Sequence, residues 1–336
     1  GGTSSNDIVM PPGTWQTSYN GGKCDGFVVK LDPTGSSITA STYIGTSNYD
    51  QSLFVEIDRY DNIFLVGQSE GGTFPVVNAS FVNPGSSQFV IKLDPDLLAP
   101  LNSTVFGNGG SAINISPAAF LVDICGNIYI SGWGANILQS TPLSGMPVTT
   151  DAFQQTPSNG YDFYLLVIKR EMTGMLYGSY IGGSLANEHV DGGTSRFDKN
   201  GVVYQSVCGG CGGHSDFPTT PGAWSDQNLS TNCNNLLFKF DFELIPEAEF
   251  TVDNNIGCAS FTVTFDNFST QSDSYLWDFG NGDTTSVIFN PVMTYDTAGV
   301  YDVYLYVTDS ICLLTDTAEI SITVTDSLEI STSPTC

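Results

Sequence analysis

The stretch SVCGGCGGHSDFP, Ser206 to Pro218, sets Cys208, Cys211 and His214 among glycines, and these residue types serve three chemistries. Zinc takes four ligands in a tetrahedron, and Cys208, Cys211, Cys233 and His214 would make a Cys3His set. A C-x2-C pair also exchanges thiols and disulfides, but that use belongs with a βαβ setting. The third chemistry is a covalent staple. Cys233 ends a loop that Cys208 or Cys211 begins, and closing about 25 residues in this way contributes roughly 3 kcal/mol by restricting the unfolded chain. Spacing alone does not choose among the three.

The elements that must position these residues are strands. Gly, Ser, Thr, Asn and Asp separate short runs of Val, Ile, Phe and Tyr, while Ala, Glu and Lys are scarce, which favours strands and turns over helices. The fold class is all-β. The 336 residues, 40 % of them hydrophobic, are enough for two or three packed domains. With 35 acidic against 9 basic residues the net charge is −26, which repels phosphate backbones and anionic lipid surfaces and excludes nucleic-acid partners. No apolar run approaches the length of a membrane helix, so direct membrane insertion is not expected. Eight cysteines in a lysine-poor chain fit an oxidising, extracellular setting. There the staple is the economical reading, with zinc and redox exchange behind it. The opening GGTSSND, without an initiator Met, reads as part of something longer.

Four segments repeat: FVVKLDPTG from Phe27, FVIKLDPDL from Phe89, LLVIKREMTG from Leu165 and LLFKFDFEL from Leu236, each an apolar strand around one lysine, Lys30, Lys92, Lys169 or Lys239. STYIGTS, STVFGNG and GSYIGGS follow the first three, and then the hairpin-like DRYDNIFLVG, DICGNIYISG and DKNGVVYQSV. A loop with a proline and an aromatic (IVMPPGTWQ, TFPVVNASF, MPVTTDAFQ, DFPTTPGAW) closes each unit. Four-stranded units repeated along one chain point to a β-propeller. Residues 1–245 resemble the seven-bladed-propeller-type (SBBP) repeats of bacterial surface proteins, in the pattern D-x-F-V-x-K-L, S-T-Y-I-G-G, D-x-x-G-N-I-Y-V-x-G. About three and a half blades are visible, too few to close a ring, so the propeller is read as partial, with upstream blades missing.

From Ala248 the pattern changes to SFTVTFDN, SYLWDFGNGDTT and NPVMTYDTAGVYDVYLYVTDS, alternating strands of a sandwich. Trp277-Asp278-Phe279-Gly280-Asn281-Gly282, Asn290-Pro291 and Tyr295 with Tyr301 resemble the PKD immunoglobulin-like domain over residues 246–325, leaving 326–336 as a linker to a further module. The resemblance puts Trp277 and Tyr301 in the core, and implies a Cys258–Cys312 disulfide as in such modules of Bacteroidota. Cys336 would pair beyond the chain, and Cys24 and Cys125 are unassigned. Asp-Ser/Thr triplets at Thr284, Thr297, Ser310, Thr317 and Ser327 resemble the O-glycan acceptors of that phylum. Thr297 is the first choice because YDTAGVY reads as a turn.

His189 and His214 read as surface-loop residues outside any nucleophile-elbow context. Asp58 with Asp61, and Asp94 with Asp96, read as turn formers. No metal site and no cofactor are assigned. Ca2+ at Asp278, Asn281 and Asp283 stays open and Zn2+ ranks below it. Trp15, Trp133 and Trp224 could be sugar platforms, with burial the stronger expectation for each. The function expected is a non-enzymatic exported cell-surface protein, an adhesin, stalk or fibre component, for which the resemblance implies type IX secretion. Its partners would be other surface proteins or neighbouring modules, or carbohydrate. The alternatives are a non-catalytic part of a polysaccharide-degrading enzyme and a carbohydrate-binding propeller.

Overall fold

A computed structural model describes residues 1–134, 143–158, 161–190, 195–242 and 244–326. It divides into two compact units, Gly1–Phe242 and Glu243–Cys336.

Unit 1 is a succession of antiparallel sheets in chain order. The first holds β1 (Gly2–Thr3), β2 (Asp25–Leu31) and β3 (Ile38–Ile44). The second is the meander β4 (Asp50–Ile57), β5 (Ile63–Ser69), β6 (Gln88–Leu93) and β7 (Pro100–Phe106). The third repeats it as β8 (Ile115–Val122), β9 (Ile128–Gly134), β10 (Phe163–Ile168) and β11 (Met175–Ile181). In the fourth, β12 (Asn187–His189) and β13 (Ser195–Phe197) both pair β14 (Val203–Cys211), which pairs β15 (Asn234–Phe240). The first strands β4, β8 and β13 pack on one another in turn.

Hairpin geometry follows from one acidic residue per turn. Asp58 accepts from the N–H of Asn62, Asp123 from that of Asn127 and Asp198 from that of Val202, so each carboxylate does the work of an Asx turn. The left-handed position beside it is glycine at Gly126 and Gly201. Strands β5 and β6 are buried on both faces because their alternating side chains enter two cores. Phe64, Val66 and Val90 face the third sheet's Ile128, Ile130 and Leu166, whereas Leu65, Phe89 and Ile91 pack with Ala40 and Ile44 of the first sheet.

Two sequence expectations are corrected here. Lys30, Lys92 and Lys239 do share one register position, the last two opposite Phe64 and Tyr204. The corresponding residue of β10 is Val167, opposite Tyr129. Lys169 follows the strand, at the entry to a single 3-10 turn, Arg170–Met172. The proline-aromatic loops do not close the units either. They lie within a sheet, between β1 and β2, β5 and β6, β9 and β10, and β14 and β15, and in the first three sheets they run along the outer edge of the last strand, where Tyr43, Ser103 and Tyr180 donate their N–H groups to Gln16, Val77 and Gln154.

Unit 2 is a sandwich. One sheet is β16 (Phe250–Val252), β18 (Phe261–Asn267) and β21 (Val292–Tyr295). The other is β17 (Ile256–Cys258), β23 (Leu314–Thr325), β22 (Gly299–Asp309), β19 (Ser274–Asp278) and β20 (Thr284–Thr285) in spatial order. Trp277 is fully buried against the rings of Phe250, Phe265 and Phe279, and Tyr301 packs on Tyr295. Along β22, Val303, Leu305 and Val307 point inward while Tyr306 points out, the period of two expected of a half-buried strand.

The Cys258–Cys312 disulfide is also corrected. Cys258 stands opposite Thr325 at the end of β23, and Cys312 precedes Leu314 at its start. A twelve-residue strand separates them by about 35 Å at about 3.3 Å per residue, against a Cα limit of about 7 Å for a disulfide. Both cysteines are oxidised.

Candidate functional site

The loop opened by the two cysteines of SVCGGCGG is stapled between Cys211 and Cys233, and Cys208 is a free thiol. Strand β14 ends in tight glycine turns. At Gly210 the backbone is left-handed, and a side chain would meet the His214 carbonyl oxygen at 2.3 Å. The N–H groups of Gly213 and His214 donate to the Gly210 carbonyl, and Asn228 Nδ2 donates both to that carbonyl and to Asn232. The staple therefore pins a base from which residues 212–232 project, with Trp224 fully exposed at 103 %.

The Cys3His set is not assembled, since two of its sulfurs are joined to each other. The histidine at the sulfur is His189, on β12 across from β14, whose Nδ1 lies 3.7 Å from Cys211 Sγ and whose ring packs on the buried Trp133. His189, Cys211 and Cys233 form a three-ligand group that could hold a soft metal only with the staple reduced. His189 is thus half-buried in a strand rather than on a surface loop. Among the remaining thiols, Cys24 is free and is held protonated by burial.

Beside the staple lies a feature absent from the sequence reading: three carboxylates gathered round Gly182 and Gly183. Asp162 precedes β10 and accepts at Oδ2 from the Ser158 N–H (2.7 Å) and Gln154 Nε2 (3.1 Å). Glu188 on β12 accepts at Oε2 from the Gly183 N–H. Asp216 accepts at Oδ2 from Ser184 Oγ and the Leu185 N–H. Asp162 and Glu188 are 0 % exposed. Asp162 Oδ1, Glu188 Oε1 and Asp216 Oδ1 are buried without a hydrogen-bond partner. Burial, together with the charges of Asp162 and Asp216 and against the pull of the Gly183 and Gly210 N–H groups, pushes Glu188 up to about 7. Burial likewise raises Asp162, while in Asp216 the effect of burial is outweighed by its hydrogen bonds and the group is lowered.

The remaining predicted positions lie apart from this cluster. Asn281 Nδ2 donates to Asp283 and the Asp283 N–H donates back to Asn281, while Asp278 accepts from the Gly280 N–H, so these exposed groups are engaged in forming their own turn. Thr284, Thr297, Ser310 and Thr317 are exposed. Thr297 shares its hydroxyl with Tyr301, Ser310 donates to Asp273, and Thr317 lies within β23. Ser327 and Cys336 fall outside the described residues. Trp15 packs partly against the core of the first two sheets, so burial holds for Trp15 in part and for Trp133, and fails for Trp224.

Residues 244–324 match the sequence family described as PKD domain. Among solved structures, the PKD1 domain of the Vibrio cholerae metalloprotease PrtV is 36% identical over 24% of this chain and 96% of that one, with a TM-score of 0.21. The PKD1 domain of Vibrio anguillarum Epp is 33% identical over 24% and 93%, also at 0.21. A structure described for carbohydrate-binding modules of the β-sandwich superfamily is 27% identical over 25% of this chain and 35% of that one, at 0.23, so the match spans about a third of that molecule. None of the curated proteins matches the chain. Residues 244–324 are a PKD domain.

Proposed function

We propose that the chain belongs to an exported, non-enzymatic cell-surface protein, an adhesin, stalk or fibre component, in which unit 1 is part of a β-propeller of the SBBP type and the PKD domain is a spacer. The observation that carries this reading is the pairing, on one chain, of a PKD domain with a Cys211–Cys233 staple, since disulfides persist in oxidising compartments. The propeller assignment is supported by consecutive four-stranded meanders whose first strands pack on one another, as blades do around an axis. The exposed Trp224 favours a second reading, in which the stapled loop presents an aromatic platform to carbohydrate.

Export to a Bacteroidota-type surface is tested on intact source cells. Antibody against the Trp224 loop should label them without permeabilisation, and the native protein should exceed in mass the same chain made in a host without O-glycosylation, with Thr297 or another exposed Asp-Ser/Thr site carrying the difference. Labelling only after permeabilisation would overturn the surface assignment, and equal masses the glycan. For the carbohydrate reading, Trp224→Ala should abolish glycan-array binding.

A further inference from the structure

We propose that His189, Cys211 and Cys233 form a Zn2+ site in the reduced chain, which the Cys211–Cys233 disulfide replaces on oxidation. The first support is convergence. One ring nitrogen of His189 and the two sulfurs all lie within 4.8 Å of one another, and Nδ1 is 3.7 Å from Cys211 Sγ. With Zn–S at about 2.3 Å and Zn–N at about 2.0 Å, a tetrahedron sets sulfur and nitrogen about 3.5 Å apart and two sulfurs about 3.8 Å apart. The imidazole already stands near that spacing from Cys211, so the main movement left is for the sulfurs, once unbonded, to part. Two thiolates and an imidazole select zinc over Ca2+ or Mg2+, and water completes the tetrahedron.

The second support is that the backbone aims these ligands without help from the disulfide. His189 stands opposite Cys208 and Asn187 opposite Cys211, so the ladder between β12 and β14 carries a bulge. In a regular ladder Asn187 would face Gly210, and Cys211 would point to the other side of the sheet. The extra residue, with Gly210 left-handed at φ 66°, turns the Cys211 sulfur toward the imidazole. Cys233 is placed by its neighbour Asn234, which pairs Gly209 at the end of a ladder that begins at Val203 and Phe240. On its other side Asn232 accepts the Gly213 N–H. The His189 ring is held on the buried Trp133. Strand pairing and packing therefore keep all three donors together when the S–S bond is cut. The staple itself has little use for the histidine, since cysteine sulfur is a weak acceptor.

The two states exclude each other, because the same sulfurs serve both. Two molecules of a thiol reductant give an electron pair to the disulfide and leave joined as their own disulfide. The S–S bond breaks, and each cysteine sulfur takes a proton. Zn2+ then displaces both protons to solvent and bonds the two thiolates and the imidazole nitrogen. Zinc in the reduced chain thus closes the base of the 212–232 loop at the point where the staple closes it after oxidation.

The test uses the full chain made in a reducing cytosol and purified without oxygen. Zinc is counted by elemental analysis, and thiol alkylation is mapped by mass spectrometry with and without a chelator. The wild type should hold one equivalent of Zn2+ more than the Cys211→Ser/Cys233→Ser variant, and should lose that equivalent when oxidised. Cys211 and Cys233 should be alkylated slowly until the chelator is added, while Cys208, outside the ligand set, reacts at the same rate throughout. His189→Ala should weaken Zn2+ binding by more than about tenfold, the least that losing even an outer-shell partner costs. That variant keeps both cysteines and carries the test should the double variant fail to fold. Cys208→Ser should leave the zinc content unchanged. Equal zinc in the wild type and the double variant, unchanged affinity in His189→Ala, alkylation of Cys211 and Cys233 that ignores the chelator, or loss of the zinc in Cys208→Ser would overturn the assignment.

Discussion

Leu165 and Leu237 are the same residue at the same register position, each opposite a serine of the preceding strand, Ser131 or Ser206. Leu165 is 0 % exposed and Leu237 is 74 % exposed. The difference lies in what comes next. Strand β10 is buried at every position, so both faces of its sheet are covered, whereas β15 alternates, with Leu237 and Lys239 on its exposed face, and among the described residues it pairs only β14. The proline-aromatic loops tell the same story. PPGTW lies along β3, so Trp15 packs on the core, but TPGAW has no fourth strand to follow and Trp224 stands in solvent. Burial in this fold belongs to the neighbour as much as to the residue.

The largest expected effect is the contrast itself. Leu165→Ala should destabilise unit 1 by roughly 2–5 kcal/mol, the cost of a cavity in a packed interior, while Leu237→Ala stays within about 0.5 kcal/mol. Denaturant melts of the full chain would measure both, and equal losses would break the comparison. Removing the staple by Cys211→Ser with Cys233→Ser should cost about 3 kcal/mol on the chain-entropy estimate for a loop of this length. That loss would appear as earlier proteolysis within residues 212–232.

Glu188 sharpens the comparison between the acidic corner at Gly182 and Gly183 and the neutral one after the second sheet, where Asn114 Oδ1 accepts the Asn108 N–H. The Glu188 pKa is raised, so its contribution is complete below the ordinary value of 4.5 and is lost as pH rises through about 7. The loss amounts to about 3 kcal/mol at most. Glu188→Gln should flatten that slope, and Asn114 predicts no slope of its own. The smallest effect is Lys239→Ala, where the exposed pair with Asp241 at 3.7 Å is worth less than about 1 kcal/mol. Lys92, buried between Asp58 and Glu171 at the same register position, should cost several times more when truncated.

The residues explain how far the sequence could be read. The Asp-to-Asn/Gly hairpins and the lysine strands are local patterns, and they located most strands of unit 1. Lys169 misled because the register position itself holds Val167; the lysine stands two positions on, where Asp32 and Asp94 follow Leu31 and Leu93, and the connection from Ile168 to Met175 is as long as that from Leu93 to Pro100. The phase of each sheet was hidden because strand content is local while pairing is not. The WDFGNG turn and its aromatic partners were legible for the same local reason, but the Cys258–Cys312 pairing depended on a parallel strand, β17 on β23, that no local pattern announces. The carboxylate cluster draws on three separate segments. Its one sequence trace is an acid at the start of β2, Asp25, and just before β10, Asp162, each followed by another at the next sheet's opening, Asp50 and Glu188.

The PKD domain closes its core on itself, whereas among the described residues the sheets of unit 1 end at β15, which pairs only β14 and carries the exposed Leu237. An unpaired, apolar edge is a template for association. The most direct measurement is sedimentation and thermal melting of residues 244–326 and residues 1–242 made separately. Residues 244–326 should form a monomer with a cooperative melt, and 1–242 should associate with rising concentration, less so in the Leu237→Lys variant. A monodisperse, cooperatively melting 1–242 monomer would contradict it.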